Sequence, residues 1–273
     1  MPYGFIMVFR GLGVNIALTI RSTPDPVTPR QYVAASLFTT YWHVATGPVC
    51  KAFIRKGSVM ADTRWYDKFA PLYNVGTFGD LFYRRARQKA IDELDLSPGS
   101  TVLDIFCGTG VDFARLHQEI GIQGCILAVD GSEGMLKEAK ARSGKLEIDD
   151  NCIVFLEADL SRNSGIEKIV SQIHEKQPHQ VLFSLGLTCL ENWQDFTSEI
   201  ISAVQPGTRL AIMDVYSKRL TLGARFINWI GAADCPRTVW SALEKNCHSF
   251  QWFEFRPFKV LDVSVFVASG TKP

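Results

Sequence analysis

Apolar positions in this chain follow two rhythms. Short continuous runs rich in Val, Ile, Leu and Phe occupy 101–106, 125–130, 152–160, 180–185 and 208–216, and read as strands buried on both faces. Between them, apolar residues recur three and four apart, as in Phe113 and Leu116, which is the spacing of an amphipathic helix. Helices are expected over 79–94, from 111 onward, from Ser132 onward and over 191–204, with Ser97-Pro98-Gly99 and Gln205-Pro206-Gly207 as turns before strands. Strand alternating with helix predicts an α/β fold around a parallel sheet. The order changes after Ser217. A segment over 220–233 carries Phe226, Trp229 and Ile230 at helical spacing, 236–245 reads as a helix, and strands near 250–255 and 260–268 close an antiparallel edge.

The run at 101–106 breaks into Cys107-Gly108-Thr109-Gly110, giving strand, tight turn and helix, the unit that receives nucleotide-like ligands at the carboxyl edge of a parallel sheet. The dinucleotide fingerprint G-x-G-x-x-G is not met, because Phe113 stands where the third glycine belongs. A phosphate-binding P-loop is excluded as well, since no Gly-Lys-Ser/Thr follows. The next strand-like run ends in Asp130, twenty residues beyond Gly110, where a carboxylate accepts from ribose hydroxyls. Ser132 is placed to cap the following helix. The run over 152–160 reads as a third strand ending in an acid, Asp159.

The pattern acid-x-x-x-Gly-x-Gly, with Asp104 inside the strand, resembles motif I of the class I S-adenosylmethionine-dependent methyltransferases, V-L-D-x-G-x-G-x-G. Phe106 here replaces the first glycine. Residues 65–74 resemble the F-D-x-x-A-x-x-Y-D segment of the ubiquinone/menaquinone C-methyltransferases, through Tyr66, Asp67, Ala70 and Tyr73, with Asn74 in place of the final acid. The resemblance implies a Rossmann-like sheet of five parallel strands followed by an antiparallel pair, helices on both faces, and S-adenosyl-L-methionine as cofactor. It also implies a cofactor set. Tyr66 and Tyr73 belong to a lid, and Asp104, Phe106, Cys107, Gly108 and Gly110 to the first turn. Asp130 and Gly131 lie at the ribose, Met135 near the adenine, Asp159 and Leu160 at the adenine edge, and Ser184 at the end of the fourth strand.

The fourth strand runs into Ser184-Leu185-Gly186-Leu187, not the Asn/Asp-Pro-Pro-aromatic segment of enzymes that methylate exocyclic amines, so a nucleic-acid base is not the expected acceptor. Net charge is +1, which offers no bulk attraction to nucleic acid. A small, hydrophobic or lipid-like acceptor is expected. Two alternatives stand beside it: methylation or aminocarboxypropyl transfer on a lipid head group, and a non-catalytic partner subunit that keeps the fold. His43, His248, Asp67 and Tyr73 are candidate bases, none in a motif that assigns its role. Seven scattered cysteines without a C-x-x-C pair argue against a zinc site or disulfide framework and for a reducing compartment.

Charge is unevenly spread. Residues 1–60 carry a net +5, leaving the remainder acidic. Residues 1–59 therefore read as a basic, apolar extension ahead of a methyltransferase domain over 60–273, with Met60 resembling a natural start. Peripheral membrane contact, organelle targeting and a lightly structured extension all fit it. The expected location is cytoplasmic, with membrane association through this extension.

Overall fold

The computed structural model describes residues 5–11, 14–20, 82–258 and 262–273. The chain divides into two units, Met1–Ser58 and Val59–Pro273. In the first, β1 (Phe5–Gly11) and β2 (Val14–Ile20) pair antiparallel, with Phe5 opposite Ile20.

The second unit is built on a seven-stranded sheet. Its strands are β3 (Thr101–Ile105), β4 (Cys125–Asp130), β5 (Ile153–Glu157), β6 (Gln180–Ser184), β7 (Arg209–Tyr216), β8 (His248–Phe258) and β9 (Val263–Thr271). Their spatial order is β5-β4-β3-β6-β7-β9-β8. The first five are parallel, β9 runs antiparallel to β7, and β8 antiparallel to β9. This is the expected Rossmann-like architecture of class I methyltransferases.

Alternation along the strands sends side chains to two cores. Leu103, Ile105, Val129 and Phe183 pack on one face against α4 (Asn163–Lys176), α5 (Trp193–Ala203) and α7 (Ser241–Asn246). Val102, Ile126, Ala128 and Met213 pack on the other against α1 (Arg84–Asp92), α2 (Phe113–Ile120) and α3 (Glu133–Lys145). On α2, Phe113, Leu116 and Ile120 are fully buried, a stripe at i, i+3 and i+7 in which each side chain contributes about 1.5–3 kcal/mol of burial. Ser132 caps α3 as expected, its Oγ accepting from the Met135 amide at 3.1 Å.

Three expectations are corrected. The strand read over 152–160 stops at Glu157, and Asp159 lies in the turn beyond it. The helix read over 236–245 is confined to Ser241–Asn246, with turns at 235–240. The helix read over 79–94 is described over Arg84–Asp92, with turns at 82–83 and 93–94; of its arginines, Arg84 and Arg85 are exposed, whereas the Arg87 side chain is only 11% exposed. The segment read over 220–233 forms α6 (Leu222–Gly231).

Candidate functional site

The chain runs outward from β3 to β4 and β5, then returns to β6 on the other side of β3. The loops after β3 and β6 therefore part at the carboxyl edge, which opens a crevice there. A pocket occupies this crevice, lined by the glycine turn, the ends of β4 and β6, the start of α3 and the turn after β5.

Asp130 organises one half. Its Oδ2 accepts from the Gly108 amide and its Oδ1 from the Ser132 amide, both at 2.9 Å. One strand-end carboxylate thus ties the glycine turn to the N-terminus of α3. The Cys107 amide donates to the Val129 carbonyl at 3.0 Å, and Arg142 on α3 donates through Nε to the Thr109 carbonyl at 2.8 Å, so the turn is held from both flanks. Gly108 sits at φ +54°, in the left-handed region.

Phe106 occupies that region too, at φ +62°. The backbone at this position has the conformation glycine tolerates best, which explains why a glycine belongs there and why a phenylalanine is strained. Its ring turns toward Phe196, with centroids 6.1 Å apart, and lies over Gly186. A Cβ at residue 186 would fall 2.2 Å from the Phe106 Cγ. Leu185, which follows the end of β6 beside it, is also left-handed, at φ +59°.

Of the expected cofactor residues, Phe106, Cys107, Gly108, Asp130, Gly131, Met135, Asp159, Leu160 and Ser184 line the pocket. Asp104 and Gly110 do not. Gly110 serves packing instead, since a Cβ there would meet the Phe113 ring at 2.4 Å. Asp104 is fully buried in β3, and neither carboxyl oxygen has a hydrogen-bond partner among the described residues. Burial, reinforced by the Asp112 carboxylate, pushes its pKa well above the usual carboxylate range. Burial and the Asp130 charge likewise push the Cys107 thiol up, so it is no nucleophile at neutral pH. Tyr66 and Tyr73 lie outside the described residues.

Asp159 is held locally. Its Oδ1 accepts from the Ser161 amide and Oγ, and Arg162 Nε bridges Oδ2 at 2.9 Å. The first turn of α4 presses on the same turn: a Cβ at Gly165 would lie 2.0 Å from the Asp159 carbonyl oxygen.

Arg87 was not expected in the pocket. It reaches from α1 to pair with Asp112 and donates to the Ser184 Oγ at 3.2 Å, while Ser184 donates to the Asp112 Oδ2 at 3.0 Å. The far end of α1 is anchored by Arg209 on β7, which donates to the Glu93 carbonyl, and by Ser269 on β9, which donates to the Glu93 carboxylate. Only the Ala86, Ala90 and Ile91 stripe signals which face of α1 is buried. Nothing local to Arg87 marks it out from Arg84 and Arg85.

The other half of the pocket is apolar and backbone-rich, with Leu185, Gly186, Cys189 and Leu190 from the loop after β6. Asp214 on β7 fixes that loop from beneath. It accepts from the Thr188 amide at 3.0 Å, the Thr188 Oγ1 at 2.8 Å and the Val215 amide at 2.7 Å. Arg237 adds bonds to the Thr188 and Leu190 carbonyls. Burial raises the Asp214 pKa to about 6 against these donors. A carboxyl whose pKa is higher folded than unfolded binds its proton more tightly in the native state. Its contribution to stability is therefore greatest below about pH 4 and falls as pH rises through 6, by about 3 kcal/mol for a two-unit shift. Asp214→Asn is expected to flatten the stability profile between those values, as read by urea unfolding across pH 4–7.

The candidate base His248 opens β8 opposite Thr271, which pairs with Arg209 at the start of β7. That is the amino edge of the parallel strands, away from the pocket. His43, Asp67 and Tyr73 lie outside the described residues.

A methyltransferase-domain family model matches residues 96–251. A 2-phytyl-1,4-naphthoquinone methyltransferase of Nostoc punctiforme is 26% identical over 153 residues, covering 55% of this chain and 63% of that protein. A demethylmenaquinone methyltransferase of Bacillus cereus is 23% identical over 151 residues, 55% of this chain and 60% of that one. The chain thus spans under two thirds of the length of these curated relatives. Among solved structures, the [4+2]-cyclase SpnF aligns with TM-score 0.59 at 15% identity, over 77% of this chain and 94% of that one. A Haemonchus contortus phosphoethanolamine N-methyltransferase aligns with TM-score 0.57 at 13% identity, over 76% and 60%. These two share the fold. The family match extends from the turn before β3 into β8 and takes in every lining residue of the pocket except Arg87, and the chain belongs to the methyltransferase-domain family.

Proposed function

We propose that this protein transfers a methyl group from S-adenosylmethionine to a small, hydrophobic, quinone- or lipid-like acceptor. The carrying observation is a single crevice with two chemically distinct halves. One half is a strand-end carboxylate beside a glycine turn at a helix N-terminus, and the other is an apolar wall of Leu185, Cys189 and Leu190. The two curated relatives are named for methylation of naphthoquinone-type acceptors, which supports the second half of the reading.

The residues fit this cofactor. Asp130 stands at a strand end facing the pocket, where ribose hydroxyls would donate to its carboxylate, and Met135 and Leu160 line the same pocket with apolar surface for a purine. Bound there, S-adenosylmethionine supplies a methyl group already activated by its sulfonium, so the chain is asked for alignment and not for covalent help. The Asp130-braced turn fixes the donor side, and the Asp214-braced loop fixes the acceptor side. Two rigid walls hold reacting atoms in line and exclude water, which is where the rate gain of such a displacement arises. Arg87 and Ser184 lie where the two halves meet and orient polar groups at that junction.

We further propose that residues 1–59 are an extension suited to peripheral membrane contact and that the protein is cytoplasmic and membrane-associated. Calorimetric titration of the full chain with S-adenosylmethionine, and separately with S-adenosylhomocysteine, tests the central reading. Micromolar binding of both is expected. If neither binds, the donor site is not functional and a scaffold role replaces the enzyme.

A further inference from the structure

We propose that the segment from Lys218 to Arg225, at the start of α6, is a docking surface for an anionic lipid bilayer. Five large apolar side chains are exposed among the described residues, and two of them, Leu220 and Leu222, fall here within three positions. Leu222 is 85% exposed. Lys218, Arg219 and Arg225 are exposed beside them, and residues 217–231 contain no acid. The nearest acids along the neighbouring elements are Asp262, in the β8–β9 turn, and Asp234, which is paired with Arg237 at 2.9 Å. Paired leucines ringed by cations are the composition by which a peripheral surface enters the boundary between head groups and acyl chains.

The presentation is fixed by the fold. Ser217 is buried, and its Oγ donates to the Arg219 carbonyl at 2.7 Å and the Asp262 carbonyl at 2.9 Å, shaping the loop that carries Leu220. Thr221 caps α6, accepting from the Ala224 amide at 3.2 Å. Ala224 is fully buried, and Ile227 packs against the same small core as Leu185 and Cys189 of the pocket lining, so this face of the helix backs the pocket wall. Leu222 and Arg225, three residues apart, form the opposite face and point away from the body. The Cys189 thiol reaches the Gly231 carbonyl at 3.2 Å, at the far end of the same helix. One short helix therefore has its back on the acceptor wall, with Leu222 and Arg225 exposed on its front. Among the described residues no helix is long and apolar enough to cross a membrane.

The surface stands independently of the methyl-transfer reading. The test is co-sedimentation of the full chain with vesicles of phosphatidylcholine alone and of phosphatidylcholine mixed with phosphatidylglycerol. Binding to the mixed vesicles, weakened by salt, is expected. Leu220→Ser combined with Leu222→Ser should lower it by about tenfold or more. Lys218→Gln with Arg219→Gln should lower binding to the mixed vesicles by about tenfold and leave weak binding to neutral vesicles unchanged. All four positions are exposed, so unchanged melting temperatures accompany these results. Wild-type binding by both variants would place membrane contact elsewhere, residues 1–59 included, and overturn the assignment. So would failure of the wild type to bind mixed vesicles, or a dimer of the full chain that Leu222→Ser dissociates. Titration of the same variants with S-adenosylhomocysteine reads the donor site separately.

Discussion

Asp130→Ala is expected to weaken S-adenosylmethionine binding by about 3 kcal/mol or more, on the order of a hundredfold. Two losses combine in this one substitution. The carboxylate faces the pocket where ribose hydroxyls would donate, and each bond to a charged acceptor contributes about 1.5–3 kcal/mol. The same carboxylate holds the Gly108 and Ser132 amides, so its removal also frees the turn that shapes the donor side. Asp130→Asn retains one acceptor oxygen but points an N–H at one of those amides, and should fall nearly as far. Calorimetry on folded variants decides the matter: unchanged affinity would remove Asp130 from the site.

Gly186→Ala is expected to destabilise the protein by about 1–3 kcal/mol, the range found when a packed core is asked to take one more carbon. Gly186 has φ −149°, which any residue adopts, so the glycine is there for space and not for its backbone angle. The obstacle is the Phe106 ring, whose Cγ and Cδ1 would lie 2.2 and 2.3 Å from the new carbon. These are the atoms nearest the Phe106 backbone and cannot swing aside as a flexible tip would. Phe106→Gly relieves a left-handed phenylalanine but leaves a void against Phe196, and is itself destabilising. In the double variant the alanine methyl enters space the ring has left. The double variant should therefore be more stable than the sum of the single changes implies, by about 0.5–3 kcal/mol. Urea unfolding of the four proteins measures the coupling, and additive values would show that ring and glycine do not constrain each other.

The parts of this fold that were legible in the sequence are those set by neighbours along the chain. The five buried runs, the glycine turn, the Ser132 cap and the strand-end position of Asp130 each depend on a few consecutive residues, and all but the far end of the third run are found where the pattern puts them. What the pattern missed depends on partners distant in sequence. Arg87 reads like Arg84 and Arg85 until Asp112 and Ser184 are brought against it. Gly110 reads as a cofactor contact, yet it does not line the pocket, and what demands a glycine is a left-handed φ of +72° together with the Phe113 ring three residues on. Asp159 was expected to end a strand, but Ser161 and Arg162 draw its carboxylate into a local turn that stops β5 at Glu157. The Asp214 brace was missed because an acid in an otherwise apolar run reveals nothing of the Thr188 hydroxyl and amide that wait for it across the sheet edge.

The fit of the Phe106 ring over a bare Cα at Gly186 also imposes an order on how this sequence can change. A side chain at 186 becomes admissible only after residue 106 has shrunk, and a phenylalanine at 106 can arise only while 186 is glycine. Neither position has a free single step away from the present pair without loss. A library randomised at 186 alone should return glycine, whereas one randomised at both positions should return pairs of inverse size. The two loops that flank the crevice thus share one volume between them, and a gain on one side is available only as a loss on the other.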